Sequence, residues 1–552
     1  MAIAAIPAGW LAIAPAPGIA QQVLPPDTRP LPALPDRLPE PQEPPLVAPP
    51  PGAPPEGQPD IDLTVTISRI DVLGSTVFSE ADFAAVTDPF LGTEATLEDL
   101  LAIRTAITEL YVRSGYTTSG AFLPPQDITA GVIQIQVVEG ELERVEINGL
   151  QRVRDAYVRD RLARAARTPV NLLDLEAALQ LLQQDPLFRR LQAELTAGST
   201  PGRSVLLVDL AEAQAFFVRS QFANDEPPGI GSTRAGVAIE HLNLTGAGDR
   251  FLISGDITQG LNRYDAAYTI PVSDRDSTLS FTYSNSRSRV VTDLFEDQNI
   301  RSTSFSAGVE YRYPVYRTPS TEFALALGGL VRDSRSFVLG TPTSLSPGSV
   351  GGVSKVAALT FAQDWVLRQP TRVVSARSEF SLGLDAFNAT VNDNTIDASF
   401  LKWVGQFQWV QGLPDDMVFV ARTATQLSFD PLLPLEKFSI GGVNTVRGYA
   451  RNQLTTDNGI YGSIELRIPL ADDPGGLGNL AIYPFFDVGT GWDELETIEP
   501  NTLVSTGLGL RWDFSPRASL QVDWGIPLNE VEKTGNSSAE EGFTFAFEIR
   551  PM

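Results

Sequence analysis

From about Ala215 to its C-terminus, the chain alternates apolar and polar residues with a period of two, and no helical pattern interrupts this alternation. The clearest stretches are residues 279–283, 305–313, 401–409 and 543–549. Because successive side chains of a β-strand point to opposite faces, this pattern predicts strands with one apolar and one polar face. Aromatic residues cluster near the predicted strand ends, as they do at membrane interfaces. The region is therefore predicted to be one large all-β domain.

The length of this region, residues 213–552, favours a closed barrel. A membrane strand needs about 9 to 11 residues, so about 16 antiparallel strands, at about 21 residues each with their turns, would fill it. In lipid only a closed barrel pairs every strand backbone, and in water open edges would invite aggregation. The alternative is a soluble β-solenoid or propeller, but the sequence has no fixed repeat. The mean hydropathy of -0.03 fits a transmembrane barrel, in which only every second side chain faces lipid.

Residues 63–140 are predicted to form a small α+β domain. Thr96, with an acidic residue three positions later, is a helix N-cap pattern, and apolar residues then recur at three- and four-residue spacing until Gly115. Strands are predicted at residues 116–122 and 133–137, and the second of these alternates apolar and polar side chains. The order of strands and helix indicates an α+β unit.

Residues 141–212 repeat this plan. A strand is predicted at Val145, helices over Asp155–Ala166 and Leu172–Gln184, and a closing strand over Val205–Leu210. The sequence therefore predicts two similar α+β domains in tandem ahead of the barrel.

The N-terminal region has a different composition. Residues 1–20 are rich in alanine, isoleucine and proline and resemble the end of a secretory signal, although a basic beginning is missing. Residues 21–62 are dominated by proline, which fixes φ and lacks a backbone donor, so a helix or core strand is excluded there. This segment is predicted to be an extended, semi-rigid linker.

Two short motifs lie forty residues apart near the end of the β-region. In the first, Val446 to Tyr449, glycines flank the single cation Arg447, which indicates a loop tip. In the second, Phe485 to Gly489, the acid Asp487 lies on one face of a predicted strand. Taken singly, either motif could be an ordinary solvated loop cation or a strand-end acid. Together they predict an ion pair that fixes an inserted loop inside the barrel.

The composition excludes several classes of function. The chain has no cysteine, which excludes disulfides and thiolate sites, and a single histidine, His241, which excludes a histidine metal cluster. No phosphate-binding glycine loop of the ATPase type is present. A net charge of -26 disfavours nucleic-acid binding, which needs basic residues to neutralise phosphates. We therefore expect no catalytic residues, no metal, no cofactor and no nucleic-acid partner.

Five segments resemble the two-partner secretion transporters of the outer membrane, the hemolysin activation/secretion family. The similarity spans roughly residues 63 to 552, and the ordered set of segments is more specific than any one of them. The segments are residues 115–127, 224–249, 446–449, 485–489 and 507–511.

The resemblance implies two periplasmic POTRA domains, at residues 63–140 and 141–212, followed by a 16-stranded barrel in the outer membrane. Such a protein would recognise one large, unfolded, β-helical partner through the partner's N-terminal secretion domain and export it without ATP. Folding of the exported chain outside the cell would supply the driving force. The further partners implied are outer-membrane lipids and the barrel assembly machinery, and the transporter would be monomeric.

The resemblance also implies two sets of functional residues. The loop–barrel contact would comprise Val446, Arg447, Gly448, Tyr449, Phe485, Asp487 and Gly489. Each POTRA sheet should leave an edge that an extended client can join by main-chain hydrogen bonds. The candidate client-binding residues in the first POTRA domain are Gly115, Tyr116, Pro125, Gln126, Ile133, Ile135 and Val137.

The sequence departs from the family pattern at both ends. Family members often carry a helix that plugs the pore, but residues 21–59 contain too much proline for a helix, so no plug is predicted. The last strand usually ends in an aromatic residue, whereas Arg550, Pro551 and Met552 follow the final alternating stretch here.

Two other functions remain as alternatives. The first is an outer-membrane assembly or import pore of the same superfamily, which would normally show more POTRA domains. The second is a passive porin or outer-membrane enzyme, against which the two α+β domains argue.

Overall fold

The computed structural model describes residues 31–39, 43–47 and 64–551, apart from 129, 294, 394–395, 472–475, 477, 496–498, 532 and 534–536. The predicted signal remnant at residues 1–20 lies outside the described residues. Across the described ranges, no helix is both long and apolar enough to cross a membrane.

The N-terminal part contains two α+β domains. Their helices are α1 (Glu80–Thr87), α2 (Leu97–Arg113), α3 (Asp155–Ala163) and α4 (Leu172–Gln183), with a 3-10 turn at Asp88–Phe90. Their strands are β1 (Leu46–Val47), β2 (Thr64–Thr66), β3 (Arg69–Leu73), β4 (Glu94–Thr96), β5 (Gly120–Phe122), β6 (Val132–Val138), β7 (Glu141–Asn148), β8 (Phe188–Ala197) and β9 (Arg203–Glu212).

In the first domain, α2 packs on a three-stranded sheet of order β3-β6-β5. The predicted N-cap is present, because the Asp99 N–H donates to Thr96 Oγ1 at 3.3 Å and the Thr96 N–H donates to Asp99 Oδ2 at 2.7 Å. A small second sheet pairs β2 with β4. The predicted strand at 116–122 is shorter than expected, since a turn precedes β5 in which the Ser119 N–H donates to Tyr116 O.

In the second domain, α3 and α4 pack on a sheet of order β1-β8-β9-β7. Helix α3 ends at Ala163 rather than Ala166, because the Ala165 and Ala166 N–H groups both donate to Leu162 O in a terminal turn. Strand β1, which precedes the first domain in sequence, supplies the outer edge of this sheet.

The rest of the chain forms a closed antiparallel barrel, in which β10 pairs with β28 through four residue pairs. The two-residue strand β17 folds back onto the last two residues of β16, and the remaining wall has the 16 strands predicted. The strands of the wall and of its loops are β10 (Phe216–Ala223), β11 (Arg234–Leu242), β12 (Arg250–Ile257), β13 (Leu261–Pro271), β14 (Thr278–Arg289), β15 (Arg301–Arg317), β16 (Thr321–Val338), β17 (Thr341–Pro342), β18 (Val353–Gln369), β19 (Arg372–Leu384), β20 (Leu401–Gly412), β21 (Val418–Ser428), β22 (Phe438–Ile440), β23 (Leu454–Thr456), β24 (Asn458–Ala471), β25 (Asn479–Trp492), β26 (Thr502–Ser515), β27 (Ala518–Pro527) and β28 (Phe543–Ile549). Short 3-10 turns lie at Pro228–Ile230, Glu296–Gln298 and Pro434–Glu436.

The two faces of the wall differ as the alternation predicts. On β20, Phe407 and Trp409 are exposed on the outside of the barrel, whereas Gln406 and Gln408 point into the lumen. Because the exposed aromatic and aliphatic side chains form the outer face, this face is suited to lipid.

Residues 31–39, here called the lumen segment, lie inside the barrel. Gln406 Nε2 donates to Pro32 O at 3.0 Å, and Gln408 Nε2 donates to Pro35 O at 2.8 Å. Leu38 packs against Val373, Val410 and Val420 of the wall. The extended conformation agrees with the linker prediction, and residues 31–39 contain no helix. An extended chain nevertheless occupies part of the lumen, which the sequence did not indicate.

Candidate functional site

The loop between β21 and β24, residues 429–457, folds back into the lumen and is here called the long loop. Its short strands β22 and β23 form a hairpin against the inner wall. The Phe438 ring stacks on Tyr461 with ring centroids 6.2 Å apart. Gly459 makes room for this hairpin, because a Cβ there would lie 2.7 Å from the Phe438 ring. The glycine in the wall therefore leaves the space that the loop hairpin occupies.

At the tip of the long loop, Arg447 contacts Asp487 of β25. Arg447 Nε donates to Asp487 Oδ2 at 2.8 Å, and Nη2 donates to Oδ1 at 2.9 Å, so the pair is bidentate. The Arg447 backbone N–H also donates to Asp487 Oδ2 at 3.1 Å. Arg447 is 4% exposed and Asp487 0% exposed. The structure thus brings together the two charged residues singled out in the sequence.

Three further groups surround the Arg447 guanidinium. Nη1 donates to Glu465 Oε2 at 3.0 Å, and Nη2 donates to Ser463 Oγ at 3.0 Å. The guanidinium lies 3.7 Å from the centroid of the Phe485 ring, a distance suited to a cation–π contact. We call Arg447, Asp487, Glu465 and Ser463 the loop-tip anchor. Glu465 also binds Arg422 and Arg467, each at 2.7 Å, so the buried carboxylates are balanced by cations.

The other residues of the two motifs position this anchor. The Val446 side chain is fully buried and Tyr449 Oη donates to Val504 O at 2.8 Å. Gly448 has φ of +90°, and a Cβ there would lie 2.9 Å from the backbone of Gly525, so only glycine fits without displacing the tip. At Gly489 a Cβ would come within 2.6 Å of the hairpin that carries the tip.

A second cluster, which sequence reasoning missed, holds the base of the long loop. Glu436 is 3% exposed, and its Oε2 lies 2.8 Å from Lys402 Nζ. Arg332 Nη1 lies 3.3 Å from Glu436 Oε1, and Gln426 Nε2 donates to Glu436 O at 3.0 Å. We call Glu436, Lys402 and Arg332 the loop-base anchor. Lys402 and Arg332 are cations on the inward face of strands that are rich in apolar residues, and this pattern could have marked them as buried charges. The sequence did not show that Glu436 is their common partner.

The structure corrects three of the predicted client-binding residues. Ile133, Ile135 and Val137 are 0%, 0% and 3% exposed and pack in the core of the first domain. They lie on β6, the central strand of its sheet, which pairs with β3 and β5. Alternating apolar residues on this strand face α2, so their side chains are inaccessible to a client.

Gly115 and Tyr116 also have structural contacts. Gly115 O accepts from the Leu172 N–H at 2.8 Å, and the Asn171 side chain donates to Ser114 O at 3.0 Å, so this turn joins the two α+β domains. The Tyr116 ring packs edge-on against Tyr111 in the domain core. Both residues therefore build the domains and their junction.

Pro125 is exposed, whereas the Gln126 side chain is hydrogen-bonded to the backbone of Gln134. Gln126 Nε2 donates to Gln134 O at 2.7 Å, and the Gln134 N–H donates to Gln126 Oε1 at 2.6 Å. The Gln126 amide thereby pairs with β6 beyond the end of β5, as a neighbouring strand would. Throughout the described part of the chain, no group of three or more His, Cys, Asp or Glu residues could hold a metal ion.

Comparison with protein families gives two matches. Residues 202–512 match the model of the haemolysin secretion/activation proteins ShlB/FhaC/HecB, and residues 65–140 match the ShlB-type POTRA domain. Among sequence relatives, the outer membrane transporter CdiB of Dickeya dadantii (strain 3937) is 25% identical over 447 residues, covering 77% of this chain and 76% of the relative. The heme/hemopexin transporter protein HuxB of Haemophilus influenzae (strain 86-028NP) is 22% identical, covering 81% of this chain and 80% of the relative.

Solved structures show the same fold. CdiB from Escherichia coli superposes with a TM-score of 0.70 at 21% identity, covering 90% of this chain and 92% of that structure. BamA from Haemophilus ducreyi lacking POTRA domains 1-3 superposes with a TM-score of 0.52 at 14% identity, covering 88% of this chain and 100% of that structure. The long match to the family model, together with the POTRA match, decides the assignment. The chain belongs to the haemolysin secretion/activation family, the outer-membrane transporters of two-partner secretion, with its POTRA domains in the periplasm.

Proposed function

We propose that this transporter rests closed, with the long loop and the lumen segment filling the pore, and that export of its secreted partner requires both to move. The partner is a large β-helical protein that arrives unfolded and is recognised through its N-terminal secretion domain by the POTRA domains. The observation that carries the proposal is the loop-tip anchor, in which one buried arginine of a loop binds two carboxylates of the wall.

The loop-tip anchor suits a loop that must stay bound to the wall at rest and detach during export. Two wall carboxylates on β24 and β25 contact the Arg447 guanidinium. Nearby in the loop, Tyr449 Oη donates to Val504 O, and Arg451 pairs with Glu226 at 2.7 Å. Ionic contacts reform whenever the geometry returns, because charge is retained on both sides. No step of this cycle requires a catalytic group or ATP, since folding of the partner outside the cell prevents its return. Insertion of the barrel by the barrel assembly machinery, and a monomeric state in the membrane, complete the proposal.

The test compares Arg447→Ala with the parent transporter. Removing Arg447 leaves Asp487 and Glu465 without the loop cation, so the contacts cannot reform once the tip has moved. We therefore expect export to fall at least tenfold. Barrel insertion, followed by heat-dependent migration of the folded barrel, should be unchanged. Arg335→Ala is the matched control, because its ion pair with Asp333 is partly exposed and lies on the outer face of β16, opposite to the face that contacts the loop. Normal export by Arg447→Ala would refute the proposed role of the anchor.

A further inference from the structure

The outer edge of strand β8 in the second POTRA domain carries a short piece of the chain's own N-terminal region. Strand β1 pairs with it in parallel, with Leu46 opposite Ala193 and Val47 opposite Glu194. The Ala193 N–H donates to Pro45 O at 2.7 Å.

Side chains complete the binding position of residues 45–47 on β8, which is here called the β8 seat. Leu46 packs against the core of the second domain, and Gln183, the last residue of α4, donates from Nε2 to Glu43 O at 3.1 Å. The seat therefore binds the backbone of an extended segment through β8, and it binds one apolar side chain of that segment beside α4. This combination is how a sheet edge recognises an added peptide strand.

The occupying segment fits its seat only in part. Strand β8 has ten residues, but β1 pairs with two of them. Prolines at positions 44, 45, 49, 50 and 51 flank Leu46 and Val47, and proline cannot donate a ladder hydrogen bond. An extended strand without prolines could pair along more of the edge, so it would compete successfully for the seat.

The same segment continues into the pore. Pro39 of the lumen segment and Glu43 beside the seat are four positions apart, so at most about 14 Å of extended chain separates them. Arg467 of the inner wall donates to Asp36 O at 3.0 Å, which fixes the lumen end. Release at β8 therefore frees the periplasmic end of this stretch, and the contacts inside the barrel remain as its other attachment.

We propose that the outer edge of β8 is a docking site for an extended, apolar strand of the secreted partner, and that residues 45–47 are a built-in placeholder that this strand displaces. The partner strand runs parallel to β8 and places an apolar side chain where Leu46 now lies. Its arrival detaches the linker from the periplasmic domain, and the lumen segment can then leave the pore. The inference rests on the proposed function. Binding of the partner strand to β8 would both recognise the partner and let the lumen segment leave the pore.

The docking step can be tested without the partner. The probe is a synthetic peptide of residues 43–49 with cysteine at the position of Val47, offered to the full-length transporter carrying Glu194→Cys. Because the chain has no cysteine of its own, the thiol introduced at position 194 is the transporter's one thiol, and an added oxidant joins it to the peptide thiol in a mixed disulfide that is separated by mass from peptide and transporter dimers. With Leu46→Asp added to weaken the placeholder, we expect trapping at least fivefold faster than with the placeholder intact. Equal trapping rates in the two transporters would overturn the proposal.

The coupling step uses a disulfide that retains the placeholder. Val47→Cys with Glu194→Cys should, when oxidised, reduce export of the secreted partner at least tenfold, and reduction should restore it. The matched control is Gln192→Cys with Asp209→Cys, an exposed pair on β8 and β9 whose disulfide leaves the seat free. Full export by the oxidised 47–194 variant would overturn the coupling. Absence of export by the parent transporter would instead refute the proposed function, while peptide trapping would still decide whether the docking site exists.

Discussion

Arg447 holds Asp487 through its backbone N–H and two guanidinium nitrogens, at 3.1, 2.8 and 2.9 Å. The pair joins a loop tip to a wall strand forty residues away in sequence, and both residues are almost completely buried. A buried pair of this kind is weak evidence for stability, but breaking it is costly because a charge is left behind.

Asp487→Ala should destabilise the barrel by about 3 kcal/mol, near the lower end of the range for breaking a buried pair, since Glu465 still faces Arg447. The change is measured as the shift in the free energy of unfolding in guanidinium, followed by tryptophan fluorescence. Asp513→Ala removes a partly exposed carboxylate paired with Arg511 and should cost about 0 to 1 kcal/mol. Equal effects of the two substitutions would contradict the burial argument.

Gly448→Ala should displace the loop tip although it adds one methyl group. A residue other than glycine at φ of +90° carries strain of about 1 to 3 kcal/mol, and the added Cβ would meet the Gly525 backbone at 2.9 Å. We expect larger single-channel conductance and reduced export. Gly462→Ala is the control, because a Cβ at Gly462 meets nothing within 4 Å. Parent-like conductance of Gly448→Ala would show that the tip tolerates the strain.

Glu436→Gln should loosen the base of the long loop while leaving its tip in place. The substitution removes the carboxylate that faces buried Lys402 and Arg332, at a cost of about 3 kcal/mol or more. Planar-bilayer recordings should show more frequent open events than in the parent. Replacing Lys402 by Met as well removes one of the two stranded charges and should recover part of the lost stability. No recovery in the double variant would argue against a direct charge contact.

Replacing the lumen segment by a flexible glycine-serine stretch of equal length should raise the resting conductance. The segment is held by Gln406, Gln408 and Arg467 through its backbone carbonyls, and by the packing of Leu38. A glycine-serine stretch loses the packing and samples many conformations, so it leaves the seat more often. Unchanged conductance would show that the long loop alone closes the pore.

Glu212 should make one periplasmic turn sensitive to acid. Burial raises the pKa of its carboxyl, but N–H donation from Val153, Gln151 and Arg152 outweighs burial and lowers the pKa to about 2. Because the folded pKa lies below the unfolded one, the stabilisation is present above about pH 4.5 and is lost as pH falls towards 2. Protection of the amides of residues 151–153 against hydrogen exchange, taken relative to the intrinsic rate at each pH, should therefore fall over that window. In Glu212→Gln this protection should be lower at neutral pH and should not fall further over the same window.

Local patterns were sufficient for the architecture. Alternation over residues 279–283 or 401–409 is a property of each strand, and the number of strands followed from the length of the region divided by the length that spans a membrane. The N-cap at Thr96 was likewise local, since its partner lies three residues away.

The same patterns could not distinguish side chains that pack in a domain core from side chains that bind a client. Ile133, Ile135 and Val137 alternate as any half-buried strand does, and only the position of α2 shows that they face the core. Gln126 was singled out beside them, but its pairing with Gln134 depends on how the loop after β5 returns to β6. A sequence pattern gives the face of a strand, and the neighbouring elements decide what covers that face.

The sequence by itself determined the barrel, the two α+β domains, the extended linker and the two motifs whose charges meet in the lumen. Only the tertiary structure decided that residues 31–39 lie in the pore, that Leu46 and Val47 pair with β8, and that Glu436 is held by Lys402 and Arg332. The physical reason is distance along the chain. Alternation, capping and proline act between near neighbours, whereas these contacts join residues brought together only when the barrel closes around the loop and the linker.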